Sequence, residues 1–508
     1  MKLSNRFPES TLELEPSVPL RARTRTLAIA ATATALAATG LTLPFAATAT
    51  AAPAAAPLTA DFDGDGYDDL FVGVPSGTVG GKAKAGYVSV VFGGENGPGP
   101  HSVRRITQAT VEVPGTPETG DRFGGSVVAA HVDDDKYADL VIGAPGEDID
   151  AKTDAGSVTV LYGTGDGFAL ANTAARGAKT GDAYGNTLAA ADFTGDTDVD
   201  LAIGGKDQVV ANYNPLTADT QPLMADRMGG RAPVLTTGDF NNDGLDDLAL
   251  GYYTKNQPYT QSHLRLYGWN KDEGSMANFW NNSNGAANAL AAGDFNGDGY
   301  DDLAVGNCRE IADENIDDPC GPEELAKGGG IHIRFGDANG SFGWEQQTFN
   351  QDTAGMPGVA ESGDGFGDAL AVADIDADGH DDLIAGAPGE AIGSAAKAGS
   401  FTVLKGGEMG LLDPAGAANP GTVAFQQNSP DILGVAQAGD LFGGALAFGD
   451  HNGDGVPDLS VAAPGENSAA GGVWDLPGAK AGGSVVTPNS LGLPASSDPL
   501  AYGAVLGK

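Results

Sequence analysis

Seven short segments of this chain place carboxylates at alternating positions, a pattern suited to gripping one hard cation. They are DFDGDGYDD from Asp61, HVDDDKYAD from His131, DFTGDTDVD from Asp192, DFNNDGLDD from Asp239, DFNGDGYDD from Asp294, DIDADGHDD from Asp374 and DHNGDGVPD from Asp450. Positions 1, 3, 5 and 9 are mostly acids or amides, and position 6 is usually Gly. Odd positions of a tight turn can aim several oxygens at one centre, and Gly lets the backbone bend between them. Position 7 would add its backbone carbonyl, as in an EF-hand loop. The expected ligands are Asp61, Asp63, Asp65, Tyr67 and Asp69 in the first loop, and Asp133, Asp135 and Asp139 in the second. The third offers Asp192, Thr194, Asp196, Asp198 and Asp200; the fourth offers Asp239, Asn241, Asp243, Leu245 and Asp247. Asp294, Asn296, Asp298, Tyr300 and Asp302 follow, then Asp374, Asp376, Asp378, His380 and Asp382. Asp450, Asn452, Asp454, Val456 and Asp458 complete the set.

The donors are hard oxygens in a flexible turn, which favours Ca2+ over Mg2+ or a softer metal. An EF-hand is excluded, because position 12 of the first loop is Val72 rather than a bidentate Glu. Asp-Gly turns closed by side-chain hydrogen bonds would explain one or two such loops, not six of one spacing. Two copies depart from the pattern. Thr194 and Thr197 replace an acid and the Gly in the third loop, while His131 and Lys136 make the second a poor cation site. The expectation is about five or six Ca2+ per chain.

Each loop needs the same scaffold to position it. Leu follows the last Asp and opens a short apolar strand, as in LFVGVP, LVIGAP, LAIGG, LALGY, LAVGN, LIAGAP and LSVAAP. A variable loop comes next, then an alternating strand such as GYVSVVFG, GSVTVLYG or GSFTVLKG. Four copies begin upstream with an aromatic-Gly pair: Phe123-Gly124, Tyr184-Gly185, Phe366-Gly367 and Phe442-Gly443. Short strands with turn residues at every joint read as all-β, and units of this length read as propeller blades. The first loop lacks an aromatic-Gly start, whereas the C-terminus carries an orphan one, Tyr502-Gly503. The expected fold is therefore a single all-β, seven-bladed β-propeller over 58–508, closed by the C-terminal strand joining blade 1.

Formal net charge is −41, with 68 acidic residues against 27 basic ones. Nucleic acid and anionic membrane surfaces are not expected as partners, since the field repels phosphate. Residues 1–51 read as a cleaved secretory signal: arginines, then the apolar run LAIAATATALAATGLTLPF, then small residues. Residues 52–57 are expected to be a short flexible N-terminal segment, and no membrane insertion of the mature chain is expected. Export would let Cys308 and Cys320 form a local disulfide within CREIADENIDDPC, the alternative being two free thiols.

The frame Phe-Gly, acidic loop, Leu, Gly-Ala-Pro resembles the FG-GAP repeat of the integrin α-subunit N-terminal propeller and its bacterial secreted relatives. GDRFGGSVVAA with LVIGAPGE, GDGFGDALAVAD with LIAGAPGE, and GDLFGGALAFGD with LSVAAPGE carry the likeness. The resemblance implies metal loops on one face that stiffen each blade, with ligands meeting the opposite face. Blades 3–5 depart from it: Gly-Ala-Pro becomes GGK, GYY and GNC, and no aromatic-Gly start precedes Asp239 or Asp294. The variable loops near 74–86, 143–156, 205–208, 252–262, 307–329, 387–398 and 463–470 would share the ligand face, with Tyr252, Tyr253, Trp269 and Trp280 as candidate aromatic contacts. No H-E-x-x-H, G-x-S-x-G, P-loop or C-x-x-C is present, and the six His show no metal-ligand spacing. The expected role is a secreted, monomeric, non-catalytic adhesion or ligand-binding module for an extracellular glycan or protein. The alternatives are a polysaccharide- or ester-cleaving enzyme on the same scaffold and a structural envelope protein.

Overall fold

Leu, Val, Ile and Ala crowd the strand after each acidic loop because that strand is buried on both of its faces. Each is the second strand of a four-stranded antiparallel sheet, and there are seven such sheets. The structure, a computed structural model, describes residues 59–507 apart from 100–101, 134, 227, 229–230, 257–258, 283–284, 286, 307–327, 341, 343–345, 495 and 497. The expected signal segment, residues 52–57, Cys308 and Cys320 lie outside the described residues.

In chain order, blade 1 contributes β1 (Leu70–Val74), β2 (Tyr87–Val91) and β3 (Val103–Ile106); blade 2 holds β4 (Ser126–Ala130), β5 (Asp139–Ala144), β6 (Ser157–Thr164) and β7 (Gly167–Arg176). Blade 3 is β8 (Thr187–Ala191), β9 (Asp200–Gly204), β10 (Gln208–Asn212) and β11 (Gln221–Ala225). Blade 4 is β12 (Val234–Gly238), β13 (Asp247–Asn256), β14 (Tyr259–Asn270) and β15 (Ser275–Asn282). Blade 5 is β16 (Ala289–Gly293), β17 (Asp302–Gly306), β18 (Ile331–Arg334) and β19 (Gln346–Phe349). Blade 6 is β20 (Ala369–Ala373), β21 (Asp382–Ala387), β22 (Ser400–Leu404) and β23 (Val423–Phe425). Blade 7 is β24 (Ala445–Gly449), β25 (Asp458–Ala463), β26 (Gly472–Leu476) and β27 (Ser484–Val486).

The last strand, β28 (Val505–Leu506), returns to blade 1, where Leu506 faces Val72 and Val505 faces Gly73. Tyr502 is wholly buried there, its main chain bridging Gly471 of blade 7 and its hydroxyl 3.3 Å from Ser89 Oγ of blade 1. The ring is closed as the orphan aromatic-Gly start implied. Residues of β4, β8, β12, β16, β20, β24 and β28 all line one axial channel.

The core does not sit inside blades but between them. Seven hydrophobic clusters lie one at each blade boundary, including Phe71 with Leu140 between blades 1 and 2, and Leu70 with Val473 between blades 1 and 7. Adjacent sheets therefore exclude water from each other's faces, and the second strands need apolar residues at every position. Glycine has a specific task at these boundaries. The carbonyl oxygens of Gly124, Gly185, Gly367 and Gly443 come so close to Gly73, Gly143, Gly306 and Gly386 of the preceding blade that any Cβ there would clash. Where the aromatic-Gly start is missing, Pro233 packs on Gly204 and Ala287 on Gly251 instead.

Two expectations are corrected. Residues 252–262 are not a variable loop: β13 and β14 run through them as one long hairpin, paired from Leu248↔Tyr267 to Asn256↔Tyr259. Tyr252 and Tyr253 are buried rather than presented for contact, with Tyr252 stacked on His263 at 4.7 Å. Trp269 packs edge-on to Tyr213 and Trp280 edge-on to Phe342, so both serve blade packing.

Candidate metal centres

Except in blade 1, whose innermost strand comes from the C-terminus, each acidic loop joins the innermost strand of its blade to the buried second strand, and the first and last acids of a loop do different work. In the first loop, Asp61 accepts hydrogen bonds from the N–H groups of Gly64, Asp65 and Gly66, so its carboxylate nucleates the turn. Asp294 does the same with Gly297, Asp298 and Gly299. Gly64 and Gly66, at φ +72° and +95°, and Gly297 and Gly299, at +72° and +89°, take the left-handed bends that this turn demands. The position 9 acid is a clamp. Asp69 accepts from Phe62 N–H within the loop and from Gly93 N–H at the end of the third strand, and Asp139, Asp302 and Asp382 repeat that pair of contacts. Phe62, Phe193, Phe240 and Phe295 at position 2 are fully buried in the inter-blade clusters, which anchors each loop from below.

The loops are also tied to one another. The N–H at position 8 donates to the position 1 carbonyl of a neighbouring loop: Asp68 to Asp450, Ala138 to Asp61, Asp246 to Asp192, Asp301 to Asp239, and Asp381 to Asp294. The carboxylates of Asp68, Asp301 and Asp381 accept in return from the N–H groups of Asp450, Asp239 and Asp294, each at 2.9 Å. These position 8 acids were missed in the sequence reading. The doubled Asp ending four of the loops was the available signal.

Oxygens converge at several of the expected sites. Ligand atoms of Asp61, Asp63 and Asp69 all lie within 4.8 Å of one another, as do those of Asp374, Asp376 and Asp382. In the third loop, Thr194 Oγ1 and Asp200 Oδ1 are buried without a hydrogen-bond partner, and so is Asn241 Oδ1 in the fourth. Orphaned oxygens at ligand positions 3 and 9 are what a cation would satisfy, so these loops, including the irregular third one, fit a divalent ion. Asn241, Asn296 and Asn452 donate their side-chain N–H to Asp247, Asp298 and Asp458. A half-turn of each amide would offer oxygen instead.

The second loop is built differently. His131 cannot receive the turn N–H groups as a carboxylate does; its Nδ1 lies 2.9 Å from Tyr137 O, the position 7 carbonyl that a cation would need. In the seventh loop, His451 takes the buried position 2 and pairs with buried Asp475 at 2.7 Å; burial works to lower its pKa, but the hydrogen bond and negative charge of Asp475 outweigh burial and raise it. His380 at position 7 of the sixth loop contacts Asp378 at 3.2 Å.

Crowding shows in the titration of the clamp residues. Burial, reinforced by neighbouring loop carboxylates, pushes Asp69, Asp247 and Asp302 up to about 8, Asp200 and Asp458 to about 7, and Asp139 to about 6. In the metal-free chain these groups bind protons more tightly folded than unfolded, where the ordinary value is near 3.9. Their contribution to stability is therefore present at acid pH and is lost as pH rises from about 4 through 6–8. The EDTA-treated protein is expected to melt at a higher temperature at pH 5 than at pH 8. A higher melting temperature at pH 8 would contradict this electrostatic picture.

Residues 54–91, 123–161, 366–404 and 442–474 match the FG-GAP repeat family, and residues 211–305 match the FG-GAP-like repeat. Phosphatidylinositol-glycan-specific phospholipase D from Homo sapiens is 36% identical over 128 residues, 24% of this chain and 14% of that protein. The Bos taurus protein of that name is 33% identical over 149 residues, 29% of this chain and 18% of its own length. Integrin alpha pat-2 from Caenorhabditis briggsae is 29% identical over 246 residues, 46% of this chain and 18% of that protein. The chain thus spans only 14–18% of the length of these curated relatives. The standard repeat matches blades 1, 2, 6 and 7, and the variant match spans the region where Pro233 and Ala287 stand in place of an aromatic-Gly start. Among the described residues, no helix is long and apolar enough to cross a membrane. Repeats, blade count and ring closure together make this chain an FG-GAP-repeat protein, a seven-bladed propeller similar to that of integrin α subunits.

Proposed function

We propose that the chain is an exported, calcium-loaded propeller that binds an extracellular glycan or protein without catalysis. The observation that carries this reading is the set of acidic loops, cross-linked in two arcs, the seventh, first and second loops and the third to sixth. Its turn acids, clamp acids and position 8 cross-links fix one face of the propeller, and Ca2+, at about five or six ions per chain, would lock that face. The connections on the other face are then free to make contacts from a rigid base. In blades 1, 2 and 6 they are miniature hairpins closed by Val79↔Lys82, Ile149↔Lys152 and Ile392↔Ala395. Residues 307–329, with Cys308 and Cys320, fall among these connections by sequence, and we place the centre of the ligand site there. The segment at 1–51 supports export.

Hydrolysis is the second reading, favoured by likeness to proteins named as phospholipases. The two readings separate on a glycan and secreted-protein binding array run beside a panel of ester, phosphodiester and glycan substrates. The expected result is binding without turnover, lost when residues 307–329 are replaced by a short Gly-Ser turn. Unchanged binding in that variant would defeat the site assignment, and turnover would favour the enzyme.

A further inference from the structure

Strand register assigns one residue in every blade to the same place, directly beyond the position 9 acid on the third strand. Leu70 faces Val91, Leu140 faces Leu161, Leu201 faces Asn212, Leu248 faces Tyr267, Leu303 faces Arg334, Leu383 faces Leu404 and Leu459 faces Leu476. The next residue along is thus Phe92, Tyr162, Tyr213, Gly268, Phe335, Lys405 or Pro477 in blades 1 to 7. Six are uncharged. The blade 6 residue alone is a lysine.

Its side chain reaches into the acidic loop. Lys405 Nζ lies 2.7 Å from Asp376 Oδ2 and 2.8 Å from Asp382 Oδ2, the acids at positions 3 and 9. Those two belong to the group, completed by Asp374, whose oxygens gather within 4.8 Å. A calcium ion bound there would draw on the same oxygens at about 2.3–2.6 Å and would meet the ammonium at a distance where like charges repel strongly. The ammonium and the ion compete for one place.

We propose that the Lys405 ammonium is a built-in cation that takes the place of calcium in blade 6. The loops of blades 1, 3, 4, 5 and 7 depend on an ion supplied from solution; this one carries its own positive charge on the neighbouring strand. The blade 6 loop then keeps a cation between Asp376 and Asp382 at calcium levels that leave the calcium-binding loops bare. Lysine supplies one charge and three donors, which matches two carboxylates at hydrogen-bond distance. The inference rests on the calcium reading of the other loops.

Calcium titration of the whole protein and of Lys405→Met tests it, with Lys405→Arg as the charge-conserving control. Lys405→Met is expected to gain one calcium site that the unaltered chain and Lys405→Arg lack. Several sites, equal in number and affinity in all three proteins, would overturn the inference and leave the calcium reading intact. No calcium binding in any of them would overturn both. Acylation of the unaltered protein gives a readout that no substitution can spoil. Lys405 is expected to react slowly and at one rate with and without saturating Ca2+, and a calcium-dependent rise in its labelling would show displacement and overturn the proposal.

Discussion

Stripping divalent ions with EDTA is expected to lower the melting temperature of this protein by a large margin, on the order of tens of degrees. Each metal-free loop carries three or four carboxylates at ligand positions, gathered within 4.8 Å in the first and sixth loops, and burial has already raised the clamp acids Asp69, Asp139, Asp200, Asp247, Asp302 and Asp458 to about 6–8. An ion that binds the folded loop alone adds RT ln(1 + [L]/Kd), about 2.7 kcal/mol per site at a hundredfold excess over Kd. The sites act together because the position 8 contacts tie each linked loop to its neighbour. Slackening one loop therefore loosens the boundary beside it, and the melt should remain cooperative. Readdition of Ca2+ is expected to restore the transition fully, and Mg2+ at equal concentration only weakly, since a flexible oxygen-rich turn suits the larger ion. Identical melting with and without EDTA would contradict this.

Deleting residues 496–508 is expected to be about as damaging. The segment supplies β28, the innermost strand of blade 1, and buries Leu500, Tyr502 and Leu506 in the cluster between blades 1 and 7. Each large apolar side chain so buried contributes about 1.5–3 kcal/mol. The deletion also removes the backbone links of Tyr502 to Ala470 and of Gly507 to Phe71, and the Ser76 hydroxyl's contact with Leu500 O. What remains is an open ring with a bare sheet edge on β1, a template for association with other chains. The truncated protein should melt far lower and aggregate more readily. A melting curve unchanged by the deletion would refute closure as a source of stability.

Much of this was legible in the residues, for identifiable reasons. The loops repeat with fixed spacing, so their turn acids and glycines declare themselves without alignment to any other protein. Closure was legible because the Tyr502-Gly503 start and the Asp61 loop are each half of a unit. What the repeat hides is anything that depends on contact between units. The position 8 acids bind the next loop's backbone, and their role appears only once blade-to-blade register is known. Lys405 looks like an ordinary exposed residue of an alternating strand until pairing sets it beside Asp382. The 252–262 hairpin was mistaken for a loop because its polar residues, such as Thr254 and Ser262, hid strands that extend beyond the usual blade. Tyr252 and Tyr253 were read as contact residues for the same reason, yet the lengthened strands carry both inward.

The account stands on the loops being calcium sites, and counting bound metal tests that most directly. Protein folded in calcium, freed of loose ions by exhaustive dialysis into metal-free buffer and analysed by elemental spectrometry, is expected to retain about five Ca2+ per chain. They should sit in blades 1, 3, 4, 5 and 7, with His131 and Lys405 standing in the way in blades 2 and 6. One ion per chain, or none, would contradict the account.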